Sequence, residues 1–243
     1  MTTVLVTGGA RGVGLGIVRG FLDAGYDVVT CSRHDPTVDL GAASHIRADV
    51  RDLSQVDRLV SAVVNRFGTL DVVVNNAGGA PPVDAATASP RLHAKIIELN
   101  LVAPLHVSQR ANTVMQQQET GGVIIMIGSV SGTRPSPGTA AYGAAKAGLA
   151  NLATSLAVEW APKVRVNTVV VGPVDTEQSE LHYGDAVSAV GATIPLGRMA
   201  VPADVAQACL WLASPGAAYV SGSTITVHGG GERPAFLSAV ERS

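Results

Sequence analysis

Seven short runs of apolar and β-branched residues recur along the chain, separated by longer stretches with helical periodicity. The runs are apolar throughout and do not alternate with polar positions, which is typical of parallel strands covered on both faces. Strands that alternate with helices form right-handed βαβ units, so the pattern predicts a doubly wound, three-layer α/β/α fold with a seven-stranded parallel sheet. The predicted strands are residues 3–7, 27–31, 45–48, 70–75, 123–128, 164–171 and 224–227.

The helical stretches differ in their regularity. Residues 54–67 form an amphipathic helix, and residues 139–162 form a helix rich in alanine. A long helix is predicted over residues 90–118, where Pro104 removes one hydrogen bond and predicts a local bulge near residues 99–100. Residues 33–44 are too few, and too broken by Pro36 and Gly41, for a crossover helix.

Composition narrows the class of protein. The chain has 243 residues, 47% hydrophobic and 15% charged, and no linker or repeat interrupts it, which predicts one domain over residues 1–243. A net charge of −2 without a dense basic run argues against nucleic-acid or membrane-surface binding. We find neither a transmembrane stretch nor a signal-peptide pattern, so we expect a cytoplasmic protein. Cys31 and Cys209 are expected to be buried free thiols, and the scattered histidines predict no metal site.

A glycine-rich turn directly follows the first predicted strand and opens the first helix. Its glycines, Gly8, Gly12 and Gly14, enclose Arg11 and Val13 in the spacing G-x-x-x-G-x-G. Glycines let a backbone approach a diphosphate closely, and a helix N-terminus offers free N–H groups to an anion. A tight turn without a ligand is the plainer reading, but this position in an α/β chain favours nucleotide binding and a Rossmann-type fold.

The end of the second strand bears on which dinucleotide binds. It reads Ser32-Arg33, whereas an acidic residue there would hold the 2′-hydroxyl of NAD(H). Arg33 and Arg11 are suited instead to a bidentate grip on a 2′-phosphate. Two solvated surface arginines are the alternative reading, and NAD(H) remains possible. We therefore expect NADP(H) to be preferred.

Polar residues also follow the third and fourth strands. Asp49 and Val50 follow strand three, where a carboxylate is placed to accept from the adenine amino group, or else to cap the next helix turn. Strand four ends in residues 75–78, Asn-Asn-Ala-Gly, so Asn76, Ala77 and Gly78 lie at the carboxyl edge of the sheet. Ligands of open α/β sheets bind at this edge.

The strongest chemical signal lies between Ser129 and Lys146. Ser129 ends a buried strand, and Tyr142 and Lys146 lie one turn apart on the following helix. A tyrosine is a poor acid–base catalyst at its ordinary pKa near 10, and a neighbouring ammonium is expected to lower that pKa. The chain has only three lysines and four tyrosines, so this spacing is seldom met by chance.

Together these residues resemble the short-chain dehydrogenase/reductase family in its compact form. The resemblance runs in family order from Thr7 to Gly230. The matching motifs are Thr7-Gly8-x-x-x-Gly12-x-Gly14, Asp49-Val50, Asn75-Asn76-Ala77-Gly78, Asn100, Ser129, Tyr142-x-x-x-Lys146 and Gly172-Pro173-Val174-Asp175-Thr176.

The resemblance implies a role for each matched residue. Tyr142 is the general acid or base, Lys146 lowers its pKa and binds the nicotinamide ribose, Ser129 binds the substrate oxygen, and Asn100 supports a proton relay. Gly172, Val174 and Thr176 adjoin the strand-six turn, and Val174 and Thr176 meet the nicotinamide. The reaction implied is hydride transfer between NADP(H) and a ketone or secondary alcohol.

Three features depart from the family pattern. The chain has Gly172-Pro173 where Pro-Gly is usual, the helix after strand two is curtailed, and His228 stands where the family usually has an asparagine. Residues 177–201 occupy the position of the variable substrate lid, where His182 and Tyr183 either contact a ligand or face solvent. Residues 232–243 form a polar tail.

The family commonly pairs the Asn100-bearing and alanine-rich helices across two-fold axes, so we expect a homotetramer or homodimer. The substrate class stays open among acyl thioesters, steroid-like ketones and small cyclic alcohols. A non-catalytic dinucleotide-binding sensor is the alternative function. A sugar-nucleotide epimerase of the extended family branch fits poorly, because its glycine spacing differs and its chains are longer.

Overall fold

The computed structural model describes residues 2–179, 183–232 and 234. In this part of the chain seven strands form one sheet, all parallel, in the order β3-β2-β1-β4-β5-β6-β7. The strands are β1 (Thr3–Thr7), β2 (Asp27–Ser32), β3 (Ser44–Arg47), β4 (Val72–Asn75), β5 (Gly122–Ser129), β6 (Val164–Val171) and β7 (Thr224–Val227). The predicted seven-stranded parallel sheet is confirmed, and the strand ends differ from the predictions by at most two residues.

Helices cover both faces of the sheet. They are α1 (Gly12–Asp23), α2 (Leu53–Phe67), α3 (Pro90–Ile97), α4 (Ala103–Met115), α5 (Ala140–Glu159), α6 (Val187–Thr193) and α7 (Pro202–Ala213). Among the described residues, no helix combines the length and apolar character needed to cross a membrane.

The sheet separates two hydrophobic clusters because successive strand residues point to opposite faces. In β1, Leu5 joins the cluster under α2, α4 and α5, whereas Val4 and Val6 join the cluster under α1 and α7. Both faces are therefore buried, which explains why the strands read as continuous apolar runs. Cys31 and Cys209 are buried free thiols, as expected.

The predicted long helix is interrupted near residues 99–100, where Pro104 predicted a bulge. Residues Glu98–Val102 form a π-helical segment between α3 and α4, and the Ala103 N–H donates to the Glu98 carbonyl five residues back. Pro104 lies in the first turn of α4, where its missing N–H costs least. The helix also ends at Met115, three residues before its predicted end.

The strand order reverses between β1 and β4, since β2 and β3 lie on one side of this pair and β5 to β7 on the other. A crevice therefore opens where the loops after β1 and β4 part. β4 ends at Asn75 opposite Met126, but β5 continues to Ser129. This extension of β5 forms a ledge, residues 127–129, beside the crevice.

Candidate active site

The crevice is a cleft of 790 Å³ at the carboxyl edge of the sheet. It brings together residues from five separate loops that are far apart in the sequence. All the site residues named from the sequence line it, except Asn100. They are Gly8, Arg11, Gly12, Val13, Gly14, Ser32, Arg33, Asp49, Val50, Asn76, Ala77, Gly78, Ser129, Tyr142, Lys146, Gly172, Val174 and Thr176.

Ser129, Tyr142 and Lys146 form one end of this cleft, the tyrosine end. Ser129 stands on the β5 ledge, where its hydroxyl accepts from the Ser131 N–H at 3.2 Å and lies near enough to Tyr142 to influence the pKa of the phenol. Burial raises the pKa of Tyr142, and the Ser129 side chain lowers it in part. The pKa therefore moves opposite to the expected lowering, because desolvation of the phenolate outweighs the effect of Ser129.

Lys146 is buried beneath Tyr142. Its Nζ atom lies 5.6 Å from the centre of the Tyr142 ring and donates a 2.8 Å hydrogen bond to the Ile127 carbonyl on the ledge. Burial lowers the pKa of Lys146 to about 8. An amine with this pKa exchanges a proton near neutral pH, which suits a group that passes protons.

Asn100 lies behind the cleft wall and is fully buried in the π-helical segment. Its Oδ1 accepts from the Gly79 N–H at 2.9 Å, and its Nδ2 donates to the Gly79 and Ile96 carbonyls, both at 2.9 Å. A Cβ on Gly78 would lie 2.7 Å from Asn100 Oδ1 and 3.4 Å from Lys146 Nζ. Asn100 thus fixes the loop after β4 directly against the lysine.

The glycine turn is tied to the end of β4 by Asn76. The Asn76 Nδ2 donates to the carbonyls of Thr7 and Gly8 at 2.9 and 3.1 Å. A Cβ at Gly14 would lie 2.3 Å from the Gly8 carbonyl oxygen and 2.4 Å from Asn76 Nδ2, so only glycine fits there. The amide of Asn76 therefore serves the protein's own backbone and shapes the turn.

The N-terminus of α1 already binds a negatively charged side chain of the protein. Gly12, with a φ of 52°, is the first residue of α1, and its N–H donates to Glu177 Oε1 at 2.9 Å. Glu177 follows Thr176 in the loop after β6 and also lines the cleft. The free N–H groups and dipole of a helix N-terminus favour this anionic partner.

The opposite end of the cleft, the basic end, is lined by Arg11, Arg33 and Asp49, and Arg51 forms an ion pair with Asp49. Arg11 and Arg33 are exposed. Both carboxylate oxygens of Asp49 accept from Arg51, at 3.0 and 2.5 Å. The Arg51 hydrogen bonds, with a smaller contribution from Arg33, lower the pKa of Asp49. The carboxylate expected to meet an adenine is thus paired within the protein, and Asp52 is the residue that caps α2.

Ser32 is also engaged by the protein. Its hydroxyl donates to the His34 carbonyl at 2.7 Å and lies 2.7 Å from His45 Nε2 on β3. Since the hydroxyl proton is committed to His34, the His45 nitrogen acts as the donor. Burial lowers the pKa of His45. These contacts fix the turn that carries Arg33.

Of the predicted lid, Val187–Thr193 forms α6, and Ile194 and Met199 are buried. His182 lies outside the described residues, as does most of the tail. His228 accepts from the Gly231 N–H at 3.1 Å through its carbonyl and takes part in a turn after β7. It does not line the cleft.

Sequence reasoning missed the roles of three residues at the site: Arg51, His45 and Glu177, the last of which it placed only in the lid. Arg51 had a usable signal, because an arginine two residues after a turn aspartate is within reach of its carboxylate. Glu177 and His45 act across 165 and 13 residues of sequence, respectively. No local pattern reports such contacts.

The cleft suits a dinucleotide. At Gly12 a Cβ would meet no atom closer than 3.8 Å, and the Gly12 N–H that binds the Glu177 carboxylate is an anion donor. Arg11 and Arg33 stand at one end and the acid–base residues at the other. The donor set therefore fits a nicotinamide dinucleotide.

Comparison with known proteins agrees with this geometry. Residues 8–232 match the family model described as enoyl-(acyl carrier protein) reductase. The chain is 36% identical to 3β-hydroxysteroid dehydrogenase 1 of Eggerthella lenta, over 94% of this chain and 92% of that protein. It is also 36% identical to the 3-oxoacyl-[acyl-carrier-protein] reductase MabA of Mycobacterium bovis, with the same coverage.

A solved structure gives the same result. A tryptophan-substituted actinorhodin polyketide ketoreductase with NADPH superposes with a TM-score of 0.88 at 31% identity, and the match covers 94% of this chain and 96% of the other. The chain therefore belongs to the short-chain dehydrogenase/reductase family and is an NAD(P)-dependent oxidoreductase that acts on CH–OH groups.

Proposed function

We propose that the protein interconverts a ketone and a secondary alcohol with NADP(H), using Tyr142 as the acid–base group. The observation that carries the proposal is that Ser129, Tyr142 and Lys146 line the same cleft, with Lys146 Nζ 5.6 Å from the centre of the Tyr142 ring. In this arrangement one hydroxyl holds the substrate oxygen while the neighbouring phenol exchanges its proton. The bound cofactor supplies or accepts the hydride.

Each residue of the tyrosine end has a separate task. Tyr142 protonates the developing alkoxide in reduction, and its raised pKa keeps the phenol protonated for this step. Lys146, whose pKa is lowered to about 8, returns a proton to the phenol and has its Nζ fixed by the Ile127 carbonyl. Asn100 is a positioning residue in this scheme, because it holds the Gly78–Gly79 loop against Lys146.

The preference for NADP(H) is supported by the charges at the basic end. Arg11 and Arg33 are exposed, and the Asp49 carboxylate, which is near enough to Arg33 for that charge to lower its pKa, is paired with Arg51. No acidic side chain ends β2, where one would bind the 2′-hydroxyl of NAD(H). The neighbouring ketoreductase structure contains NADPH.

For the substrate, we infer a cyclic ketone or alcohol of the steroid-like class. The support is the likeness to the hydroxysteroid dehydrogenases of Eggerthella lenta and Mediterraneibacter gnavus, the latter 34% identical. Acyl thioesters are the second candidate, favoured by the match to MabA. The homotetramer or homodimer, the single domain and the cytoplasmic location stay predictions.

The test is NADPH and NADH oxidation against a 3-ketosteroid, a 3-oxoacyl thioester, a cyclic ketone and an enoyl thioester. We expect Tyr142→Phe to lower kcat by about 10²- to 10⁴-fold while retaining NADPH binding, because the phenyl ring keeps the packing but has no proton to give. Ser155→Ala, an exposed change on the same helix, is the matched control. Full turnover by Tyr142→Phe would overturn the assignment.

A further inference from the structure

The contact between Glu177 and Gly12 has no part in the reaction proposed above. Glu177 Oε1 accepts from the first N–H of α1 at 2.9 Å, across the mouth of the glycine turn. Thr176 lies over the same point, since a Cβ on Gly12 would be 3.8 Å from its Cγ2 atom. A carboxylate of the chain thus occupies the position that the fold offers to a cofactor diphosphate.

The backbone that carries Glu177 is held on both sides. Asp175 N–H donates to the Ala200 carbonyl at 2.7 Å, and Ala200 N–H donates to the Pro173 carbonyl at 3.1 Å. The Thr176 N–H donates to the hydroxyl of Ser179, which is buried, at 2.8 Å. The backbone around Glu177 is therefore a fixed turn, while the Glu177 side chain itself is exposed and its carboxylate is held by the Gly12 N–H.

We propose that Glu177 is a displaceable cap on α1 that sets the affinity for the cofactor. Its carboxylate and the diphosphate compete for the same N–H and repel each other, so binding of the dinucleotide expels the carboxylate. The cap lowers cofactor affinity and couples cofactor binding to the turn at residues 173–179. This inference rests on the proposed dinucleotide function and adds to it a residue that sets cofactor affinity.

The experiment measures dissociation constants for NADPH and for two fragments, ADP-ribose and 2′-AMP, with the wild type and Glu177→Gln. ADP-ribose contains the diphosphate, whereas 2′-AMP contains only the phosphate monoester of the basic end. Glu177→Gln should bind NADPH and ADP-ribose about two- to fivefold more tightly, the range expected for one charge at a helix N-terminus. Its affinity for 2′-AMP should equal that of the wild type.

Asp185→Asn is the matched control, because it removes the same charge from an exposed position farther along the lid. It should leave all three dissociation constants unchanged. An equal gain in ADP-ribose affinity in both variants would show that only net charge matters and would overturn the proposed cap. Unchanged or weaker ADP-ribose binding by Glu177→Gln would overturn it as well. Wild-type protein that binds ADP-ribose but transfers no hydride would overturn the proposed function alone.

Discussion

The two ends of the cleft are built in opposite ways. At the tyrosine end, Lys146 is buried and hydrogen-bonded to a main-chain carbonyl, and burial raises the pKa of Tyr142. At the basic end, Arg11 and Arg33 are exposed, and their charges are screened by solvent. Burial shifts the pKa of a group and fixes its position, whereas exposure leaves mainly its net charge. Packing therefore dominates at the tyrosine end, and net charge dominates at the basic end.

The largest effect should come from the buried support of the tyrosine end. Asn100→Ala leaves the Gly79 N–H, the Gly79 carbonyl and the Ile96 carbonyl without their side-chain partner. We expect the free energy of unfolding to fall by about 2–4 kcal/mol. Urea denaturation measures this, with the exposed α4 change Thr113→Ala as a control expected within about 0.5 kcal/mol of the wild type. A loss of less than about 1 kcal/mol for Asn100→Ala would show that the loop after β4 keeps its conformation without the Asn100 side chain.

The next effect is a pH dependence. Burial lowers the pKa of Lys146 from 10.5 to about 8. Between these values the unfolded lysine keeps a proton that the folded lysine has released, so the free energy of unfolding rises with pH. Relative to Lys146→Met, the wild type should gain about 2 kcal/mol between pH 7 and pH 9.5. Urea denaturation across this range measures the gain. If the free energy of unfolding had the same pH dependence in both proteins, the Lys146 ammonium would be solvent-exposed and its pKa unshifted.

At the basic end we expect a smaller and selective effect. Arg33→Ala should raise KM for NADPH by about tenfold and change KM for NADH by less than about twofold, because only NADPH has the 2′-phosphate. Arg58→Ala is the matched control, because it removes the same charge from the exposed face of α2. Steady-state kinetics with both cofactors decides the point, and equal increases for both would remove Arg33 from the phosphate site.

The smallest effect should come from the ion pair beside it. Arg51→Ala leaves Asp49 without its main partner, but the pair is partly exposed, with both side chains about a quarter accessible. The free energy of unfolding should change by less than about 1 kcal/mol. KM for NADPH should rise by about two- to threefold, because the freed carboxylate repels the 2′-phosphate. A destabilisation above about 2 kcal/mol in denaturation would mean that the basic end is packed like the tyrosine end.

The fold was accessible from the sequence because its signals are local. Apolar runs mark strands buried on both faces, and Pro104 marks the interruption at residues 98–102. The positions of Gly8, Ser129, Tyr142 and Lys146 in one cleft follow from the parallel sheet, whose carboxyl ends share one edge.

The features of the site that the sequence did not predict depend on contacts between segments remote in sequence and on solvent exposure. The sequence placed Lys146 near Tyr142 but gave no measure of burial, so it predicted a lowered phenol pKa where desolvation raises it. It likewise could not show that Arg51 takes both oxygens of Asp49, or that Asn76 is committed to the glycine turn.

The ledge of β5 has a consequence for how the protein tolerates change. Lys146 is anchored to the carbonyl of residue 127, which belongs to the peptide and not to a side chain. Any amino acid at this position supplies the same acceptor, so drift in the identity of Ile127 leaves the anchor intact. Insertion or deletion of one residue near the end of the strand would remove it. The Lys146 anchor therefore depends on the length of this strand and not on the side chain at residue 127.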